Sequence, residues 1–299
     1  MRLQGEECPQ CAARVVRSFN AYTHDTAAPT AITVMSCKAC GLGWQWPVEN
    51  SSNAGRDMFE SKYARTLSSH NRYYDPEYKK QIAVLQKDFI QAHCVCPGRL
   101  LDIGCGAGIF VDEMAGSGWN ATGVDPAAHA SGSARLIRGT LNDLPSASEF
   151  DAITLWDVIE HVEDPAQLVR DCHARLAPGG YIFLETGNYQ SSVRIASGAD
   201  WWCYQKDHRW YFHPASIDRL LKEAGFSDLE LCQRVLRPHW HGSPGYAGPS
   251  RAELVRQLAR RPWSPFAPVS KFLELRKAAR DWPQWSNLDI FSMAARKPC

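Results

Sequence analysis

The 299-residue sequence lacks the features that mark membrane, exported and strongly basic proteins. It has no run of 18 or more apolar residues, so we predict no membrane-spanning segment. The first residues lack the apolar run of a secretory signal, and we expect a cytoplasmic protein. Neither charge sign is in excess, because 33 Lys and Arg residues are balanced by 32 Asp and Glu residues. A net charge of +1 gives no general attraction for nucleic acid, which is therefore not the expected partner.

The remaining composition is that of an ordinary globular protein, with 44% hydrophobic and 22% charged residues. The length predicts one large domain with a smaller unit attached. We place a small cysteine-containing domain at residues 1–47, a helical connector at 48–98 and the main domain at 99–299. Residues 237–286 are predicted to be an insertion with two helices, 251–260 and 270–280. No feature of the sequence indicates the oligomeric state.

Four of the eleven cysteines form two C-x-x-C pairs, Cys8 with Cys11 and Cys37 with Cys40. Four thiolates presented by two tight turns suit tetrahedral Zn²⁺, and a β-hairpin can accommodate the linker between the pairs. Because the protein fills all four positions, we predict a structural zinc ribbon rather than a catalytic metal. Without an export signal, disulfides are disfavoured. A redox-active C-x-x-C pair and free thiols are the alternatives.

From residue 99 onward, strand-like and helix-like segments alternate along the chain. We predict strands at residues 99–103, 120–124, 136–141, 151–156, 181–185, 228–235 and 288–295. We predict helices at residues 76–93, 109–115, 165–176 and 216–224. This alternation indicates an α/β fold, with a doubly wound, mostly parallel sheet of seven strands.

A glycine-rich loop, residues 104–108, follows the first strand of this series and begins a helix. Its spacing is G-x-G-x-G, and Ile109 stands where the dinucleotide fingerprint requires glycine. Asp102 would repel a pyrophosphate but can engage an aminoacyl ammonium group, directly or through water. Asp125 ends the next strand, where carboxylates bind ribose hydroxyls. The two acids favour S-adenosylmethionine as the ligand; a structural turn without a ligand is the alternative.

These motifs resemble those of the class I S-adenosylmethionine-dependent methyltransferases, over residues 101–108, 123–126, 150–162 and 176–180. The resemblance implies a Rossmann-like fold with an S-adenosylmethionine pocket. It places Asp102 and the glycines at the methionyl part, Asp125 at the ribose and Trp156 beside the ammonium. Thr140 stands where the family more usually has an acidic residue at the adenine edge. The implied cofactor-binding residues are Asp102, Gly104, Cys105, Gly106, Gly108, Asp125, Pro126, Thr140, Leu141, Asn142 and Trp156.

Three residues after the fourth strand, Asp157, Glu160 and His161, would share one face if the segment were helical. Such a group can act as a general base or bind a divalent metal such as Mg or Mn. It resembles the acidic-acidic-histidine cluster of ubiquinone-type O-methyltransferases, some of which use a metal. A third interpretation is that Glu160 and His161 brace the loop.

Two further histidines, His208 and His213, lie in the aromatic-rich segment 201–213 after the fifth strand. Imidazole can remove a proton from an attacking hydroxyl near neutral pH, so His161, His208 and His213 are our candidate catalytic residues. The abundance of aromatic residues is equally consistent with a packed loop.

We therefore predict methyl transfer from S-adenosylmethionine to a small-molecule acceptor, at a hydroxyl oxygen of a sugar, lipid or natural-product intermediate. The first alternative is an RNA methyltransferase, because some ribosomal RNA guanine methyltransferases also carry a zinc ribbon before such a core. A local basic patch of Arg251, Arg256, Arg260 and Arg261 would serve it, but the near-neutral net charge argues against it. The second alternative is a non-catalytic cofactor-binding scaffold protein, which the intact glycine loop argues against.

Overall fold

The computed structural model describes residues 7–14, 16–23, 30–47, 75–127, 135–145, 149–238 and 288–299. The predicted insertion, with its two helices and its arginine patch, lies outside the described residues apart from Arg237 and Pro238. Residues 48–74 of the predicted connector also lie outside them. Within the described ranges, no helix has the length and apolar character that crossing a membrane requires.

Eleven strands and five α-helices make up the described part of the chain. The strands are β1 (Val16–Thr23), β2 (Thr30–Cys37), β3 (Gly43–Gln45), β4 (Arg99–Ile103), β5 (Asn120–Asp125), β6 (Arg135–Arg138), β7 (Phe150–Trp156), β8 (Leu176–Gly187), β9 (Trp210–Tyr211), β10 (Ser227–Leu231) and β11 (Ile290–Arg296). The helices are α1 (Pro76–Gln91), α2 (Ile109–Gly116), α3 (Pro165–Arg175), α4 (Ser192–Ser197) and α5 (Pro214–Glu223).

The main sheet has seven strands in the order β10-β11-β8-β7-β4-β5-β6. The five strands from β8 to β6 are parallel, and β11 runs antiparallel to both of its neighbours. This arrangement confirms the predicted seven-stranded, mostly parallel α/β sheet. The chain moves outward from β4 to β6 and then returns to β7 on the other side of β4. The switch of direction lies between β4 and β7, where sheets of this type bind their ligands beyond the carboxyl ends of the strands.

Local sequence signals explain why the elements around this crevice form where they do. The central strand β7 is buried on both faces, since the neighbouring residues Ala152 and Ile153, which point to opposite faces, are both fully buried, as in a sheet covered on both sides. Helix α3 begins at Pro165, and the carboxylate of Asp164 accepts a hydrogen bond from the Gln167 amide at 3.0 Å. An acidic cap followed by proline is a strong helix start, because it satisfies one of the unpaired amides of the first turn.

Some element bounds differ from those predicted. Strand β6 ends at Arg138 rather than at residue 141, because the Asp143 carboxylate accepts hydrogen bonds from the Thr140 amide at 2.7 Å and hydroxyl at 2.9 Å. These bonds fold Leu141–Asp143 into a 3-10 turn. Strand β8 is longer than predicted because it pairs with β7 on one side and β11 on the other.

A second sheet has four antiparallel strands in the order β1-β2-β3-β9. The first three strands come from the predicted cysteine domain, whereas β9 comes from the aromatic-rich segment of the main domain. Gly43 pairs with Tyr211 and Trp44 with Trp210, and both tryptophans and Tyr211 are buried. The cysteine-containing sheet is therefore completed by a strand that follows β8 in the chain.

Candidate functional site

Two loops meet at the switch point of the main sheet, the glycine loop after β4 and the turn of residues 157–161 after β7. Gly104 has φ +77°, and a Cβ at this position would collide with the side chain of Val158. Its amide donates to the Val124 carbonyl at 2.8 Å, which holds the loop against β5. Gly106 has φ +51°, and a Cβ there would meet no atom within 4 Å. The glycine loop is thus packed against protein at Gly104 and borders open space at Gly106, as a loop that approaches a ligand requires.

The two predicted cofactor acids lie at the carboxyl ends of β4 and β5, and both are buried. Asp102 accepts a hydrogen bond from the Thr154 hydroxyl at 2.6 Å. Burial raises the pKa of Asp102 to about 7; the Thr154 hydrogen bond opposes this rise and the charge of Asp125 adds to it. Asp125 accepts hydrogen bonds from the Gly106 amide at 3.1 Å and the Ala127 amide at 2.7 Å. Its carboxylate therefore fixes the glycine loop, and its contact with a ribose stays a prediction.

The other predicted cofactor residues lie at or after the carboxyl ends of the same parallel strands. Trp156 packs edge-on against Phe110 with the ring centroids 5.6 Å apart, and its buried Nε1 has no hydrogen-bond partner among the described residues. Cys105 follows Gly104, and the Pro126 carbonyl accepts from Arg138 Nε at 3.2 Å. Thr140, Leu141 and Asn142 form the turn after β6, with Leu141 buried. The structure brings these residues together, and their contacts with a cofactor stay a prediction.

The segment after β7 is a turn and not the helix that a shared face would require, so that expectation is wrong. Asp157 has φ +55°, which lies in the left-handed region, and His161 closes one turn by donating from its amide to the Val158 carbonyl at 3.0 Å. The Asp157 carboxylate points toward Arg237, whose Nη2 lies 2.6 Å from each of its oxygens. Arg237 also donates from Nε to Glu185 at 3.0 Å, so one buried arginine binds two carboxylates. Arg237 was not among the predicted site residues, because no local motif in the sequence marks it.

Glu160 and His161 of this turn lie close to His208. One potential metal-ligand atom from each of the three residues lies within 4.8 Å of the others. Glu160 is buried, and its Oε2 has no hydrogen-bond partner among the described residues. Burial raises the pKa of Glu160 well above its usual range, and the Asp157 charge contributes further. The His161 and His208 rings meet edge to face at 4.6 Å, and His208 Nδ1 lies 3.4 Å from the thiol of Cys203.

His161 has the orienting contact that a proton acceptor needs. Its Nδ1 lies 3.0 Å from the backbone carbonyl of Asp207 and 3.6 Å from the Asp207 carboxylate. A carbonyl can only accept, so Nδ1 carries the proton and Nε2 is the basic nitrogen of the neutral ring. The His161 side chain is 17% exposed, so part of the ring is accessible to solvent.

His213 does not join this cluster. It caps the start of α5, and its Nε2 lies 2.9 Å from the backbone carbonyl of Cys40. Burial lowers the pKa of His213 to about 4, so the ring is neutral at physiological pH and donates Nε2–H to this carbonyl. Through this contact His213 links α5 to the cysteine-containing segment. Its catalytic role stays a prediction.

Most of the segment 201–213 is a packed loop, in agreement with the second interpretation of its composition. Trp201, Tyr204 and Phe212 are fully buried. Asp289, just before β11, fixes the segment by accepting hydrogen bonds from Nε1 of Trp201 at 3.0 Å and from Nε1 of Trp202.

The four predicted zinc ligands converge. Cys8 Sγ lies 3.5 Å from Cys40 Sγ, and Cys11 Sγ lies 3.6 Å from Cys37 Sγ. All four sulfurs lie within 4.8 Å of one another. Tetrahedral Zn²⁺ with bonds of about 2.3 Å places its sulfurs about 3.8 Å apart, so the cluster fits this ion. The hydrogen bond from Cys40 lowers the pKa of Cys8 to about 5 and raises the pKa of Cys40, so Cys8 is the thiol of this pair that ionises more readily.

Both turns that present these sulfurs have the same form. The residue after the second cysteine of each pair, Ala12 or Gly41, has positive φ and donates its amide to the carbonyl of the first cysteine, at 2.9 and 3.0 Å. This repeated geometry matches the two-turn ribbon that the spacing predicts.

Known proteins with similar sequences are methyltransferases. A sequence profile described as "Methyltransferase domain" matches residues 70–231. The ubiquinone biosynthesis O-methyltransferase of Thiobacillus denitrificans is 31% identical over 193 residues, which cover 56% of this chain and 83% of that protein. The protein of the same name from Aromatoleum aromaticum is 32% identical over 193 residues, covering 56% of this chain and 82% of that protein.

Solved structures show the same fold. A SAM-dependent methyltransferase from Archaeoglobus fulgidus superposes with a TM-score of 0.51 at 17% identity, covering 77% of this chain and 100% of that chain. The 1,6-didemethyltoxoflavin-N1-methyltransferase of Burkholderia thailandensis, with bound 1,6-didemethyltoxoflavin and S-adenosylhomocysteine, has a TM-score of 0.52 at 14% identity and covers 93% of this chain and 100% of that chain. At such identities the similarity establishes the Rossmann-like fold and leaves the acceptor open.

Proposed function

Because this chain belongs to the methyltransferase domain family, as a class I S-adenosylmethionine-dependent methyltransferase, we propose that it methylates a hydroxyl oxygen of a small-molecule acceptor. The observation that carries the proposal is the contact between the glycine loop at Gly104 and the turn that ends in His161. It supports the proposal because the turn that carries His161 packs, through Val158, against the loop at which the methyl donor is expected. A sugar, lipid or natural-product intermediate has the hydroxyl that this arrangement requires.

Asp102, Gly106, Asp125 and Trp156 would hold S-adenosylmethionine, which supplies an electrophilic methyl group when bound. Gly106 leaves room for the ligand, and the unpartnered Nε1 of Trp156 is available to it. Asp102 offers a carboxylate to the methionyl ammonium. The protein has then to align the acceptor with the methyl group and to exclude water.

His161 is the residue we assign as general base. Its Nδ1–H is held by the Asp207 carbonyl, so Nε2 is presented for accepting the hydroxyl proton. The charge that the ring gains is stabilised by the Asp207 carboxylate at 3.6 Å. His208 packs against the ring and limits its rotation.

A divalent cation on Glu160, His161 and His208 is a second way to activate the same hydroxyl. The unpartnered, buried Oε2 of Glu160 favours it. With Asp157 bound to Arg237, this set holds one carboxylate and two imidazoles. Such a set suits Mn²⁺ better than Mg²⁺, which prefers oxygen ligands.

The cysteine cluster is proposed to hold one structural Zn²⁺, because four sulfurs at tetrahedral spacing leave no open coordination position. The partner we propose for the whole protein is a small-molecule acceptor.

The test is a methyl-transfer screen of the purified protein over sugar nucleotides, phenols, amines and RNA, with release of S-adenosylhomocysteine as the readout. We expect turnover with hydroxyl acceptors, and a loss of about 10²- to 10⁴-fold in kcat for His161→Ala with unchanged cofactor binding. Turnover of RNA alone would support the first alternative instead, and a fully active His161→Ala would remove His161 as base. Loss of activity on chelation, restored by Mn²⁺ while the zinc content stays constant, would support the metal arrangement.

A further inference from the structure

Gln45, the last residue of β3, links the cysteine-containing sheet to the segment that carries His208. Its backbone amide donates to the Arg209 carbonyl at 2.9 Å. Its side-chain amide nitrogen, in the orientation that satisfies both acceptors, lies 3.0 Å from the His208 carbonyl and 3.3 Å from the Lys206 carbonyl. The side chain is buried, so water does not compete for these bonds.

The two carbonyls that Gln45 binds flank Asp207. Between them, the Asp207 carbonyl is the acceptor for His161 Nδ1–H. When both neighbouring peptide groups are fixed, the Asp207 carbonyl has little freedom to rotate. The position of the carbonyl that orients His161 therefore depends on a side chain more than 100 residues earlier in the chain.

The next residues are held from the opposite side. The amides of Arg209 and Trp210 both donate to the Glu160 carbonyl, at 2.8 and 3.2 Å. The segment thus lies between β3 and the turn that carries His161, and it contacts both. A shift of β3 would move the carbonyl of Asp207 relative to the imidazole ring.

We propose that Gln45 is a positioning residue for His161, so that the cysteine-containing sheet forms part of the acceptor half of the active site. The inference rests on the proposed role of His161 as general base. The cofactor half is anchored separately, since the glycine loop is fixed by Val124 and Asp125 of β5. Loss of the Gln45 contacts therefore impairs proton removal and leaves cofactor binding intact.

The test compares Gln45→Met with Gln10→Met. Methionine keeps the approximate volume of glutamine and removes the amide donor. Gln10 is a matched control, because its Nε2 also joins the cysteine-containing segment to the main domain, by donating to the Ser216 carbonyl at 2.7 Å, away from His161. We expect Gln45→Met to lower kcat by about 10- to 100-fold, as misplacement of a reacting group by about 1 Å does. Gln10→Met should keep kcat near that of the unchanged protein.

The comparison of kcat with the KM for S-adenosylmethionine distinguishes positioning from general support. The glycine loop is fixed by β5, so a change confined to the position of His161 should leave the apparent affinity for S-adenosylmethionine unchanged. Gln45→Met should therefore lower kcat while its KM for S-adenosylmethionine stays near that of Gln10→Met. Gln45→Glu, which puts a carboxylate against two carbonyls, should lose at least as much kcat as Gln45→Met.

Three results would overturn the inference in distinguishable ways. If His161→Ala keeps full activity, the proposed base is wrong and the positioning role falls with it. If His161→Ala is inactive while Gln45→Met matches Gln10→Met in kcat, only the positioning role is wrong. If Gln45→Met loses zinc or affinity for S-adenosylmethionine as well, Gln45 supports the whole fold and not His161 in particular.

Discussion

The pKa of Asp102 predicts how cofactor affinity depends on pH. Burial raises this pKa to about 7, from an ordinary value of 3.8. Asp102 is then ionised in about one tenth of the protein molecules at pH 6 and in about nine tenths at pH 8. Because the ionised form attracts the cationic methionyl group, the affinity for S-adenosylmethionine should rise about 10-fold between these pH values.

Two variants separate this cause from others. Asp102→Asn cannot ionise, so its weaker binding should lose this 10-fold rise. Thr154→Val removes the hydrogen bond that lowers the pKa of Asp102, so the rise should move to higher pH. Isothermal titration calorimetry between pH 5.5 and 8.5 measures both effects. Proton release on binding, measured in buffers of different ionisation enthalpy, should be largest below pH 7.

The raised pKa of Asp102 also makes the stability of the fold depend on pH. This contribution to stability falls as pH rises, whereas cofactor affinity increases. A carboxyl whose folded pKa is raised favours the folded state below its unfolded pKa and loses that contribution as pH rises through its folded pKa. For Asp102 the loss develops between about pH 4 and 7 and amounts to at most about 4 kcal/mol. Asp102→Asn should therefore gain stability relative to the unchanged protein as pH rises. Equal pH dependence of cofactor affinity in both proteins would refute the assignment of Asp102 to the methionyl group.

The remaining predictions concern the cysteine cluster and the buried arginine. Cys11→Ser should reduce the zinc content, measured by plasma mass spectrometry, from about one ion per chain to well below that. Cys96→Ser, at an exposed cysteine, should keep the full zinc content. Equal zinc in both variants would contradict the four-thiolate site. Arg237→Met removes the arginine that hydrogen-bonds both Asp157 and Glu185 and should cost about 3–5 kcal/mol in urea unfolding. Arg219→Met, at an exposed ion pair with Glu223, should cost less than about 1 kcal/mol, and equal costs would contradict the role of Arg237 as the cation of a buried pair.

The sequence predicts the main sheet well because its signals are local. The predicted strands at 99–103, 120–124 and 151–156 match β4, β5 and β7 to within one residue. Each is a short apolar run followed by glycine or an acidic residue, and the runs alternate with helices that have their own start signals. The cysteine cluster is equally predictable from the sequence, because two C-x-x-C pairs at this separation are typical of a four-thiolate metal site.

The acceptor half is less predictable because its contacts join distant parts of the chain. Spacing alone suggests that Asp157 and His161 share a helical face, but Asp157 turns away to Arg237, 80 residues later. His213 is a reasonable base by residue type, yet its ring contacts Cys40, 173 residues earlier. Neither contact leaves a periodic or compositional trace, so local pattern analysis does not reveal it.

The two halves of the site therefore differ in how they are built, and this difference explains why the methyl donor is easier to assign than the acceptor. The cofactor half consists of loops that directly follow neighbouring strands of one sheet, where the fold itself brings Asp102, Gly106 and Asp125 together. The acceptor half is assembled from the turn after β7, the segment before β9 and the end of β3. Because Gln45 and Glu160 bind this segment from opposite sides, changes in the cysteine-containing sheet can alter the acceptor half without disturbing the cofactor half. We therefore expect activity toward the acceptor to respond to changes where these two sheets join.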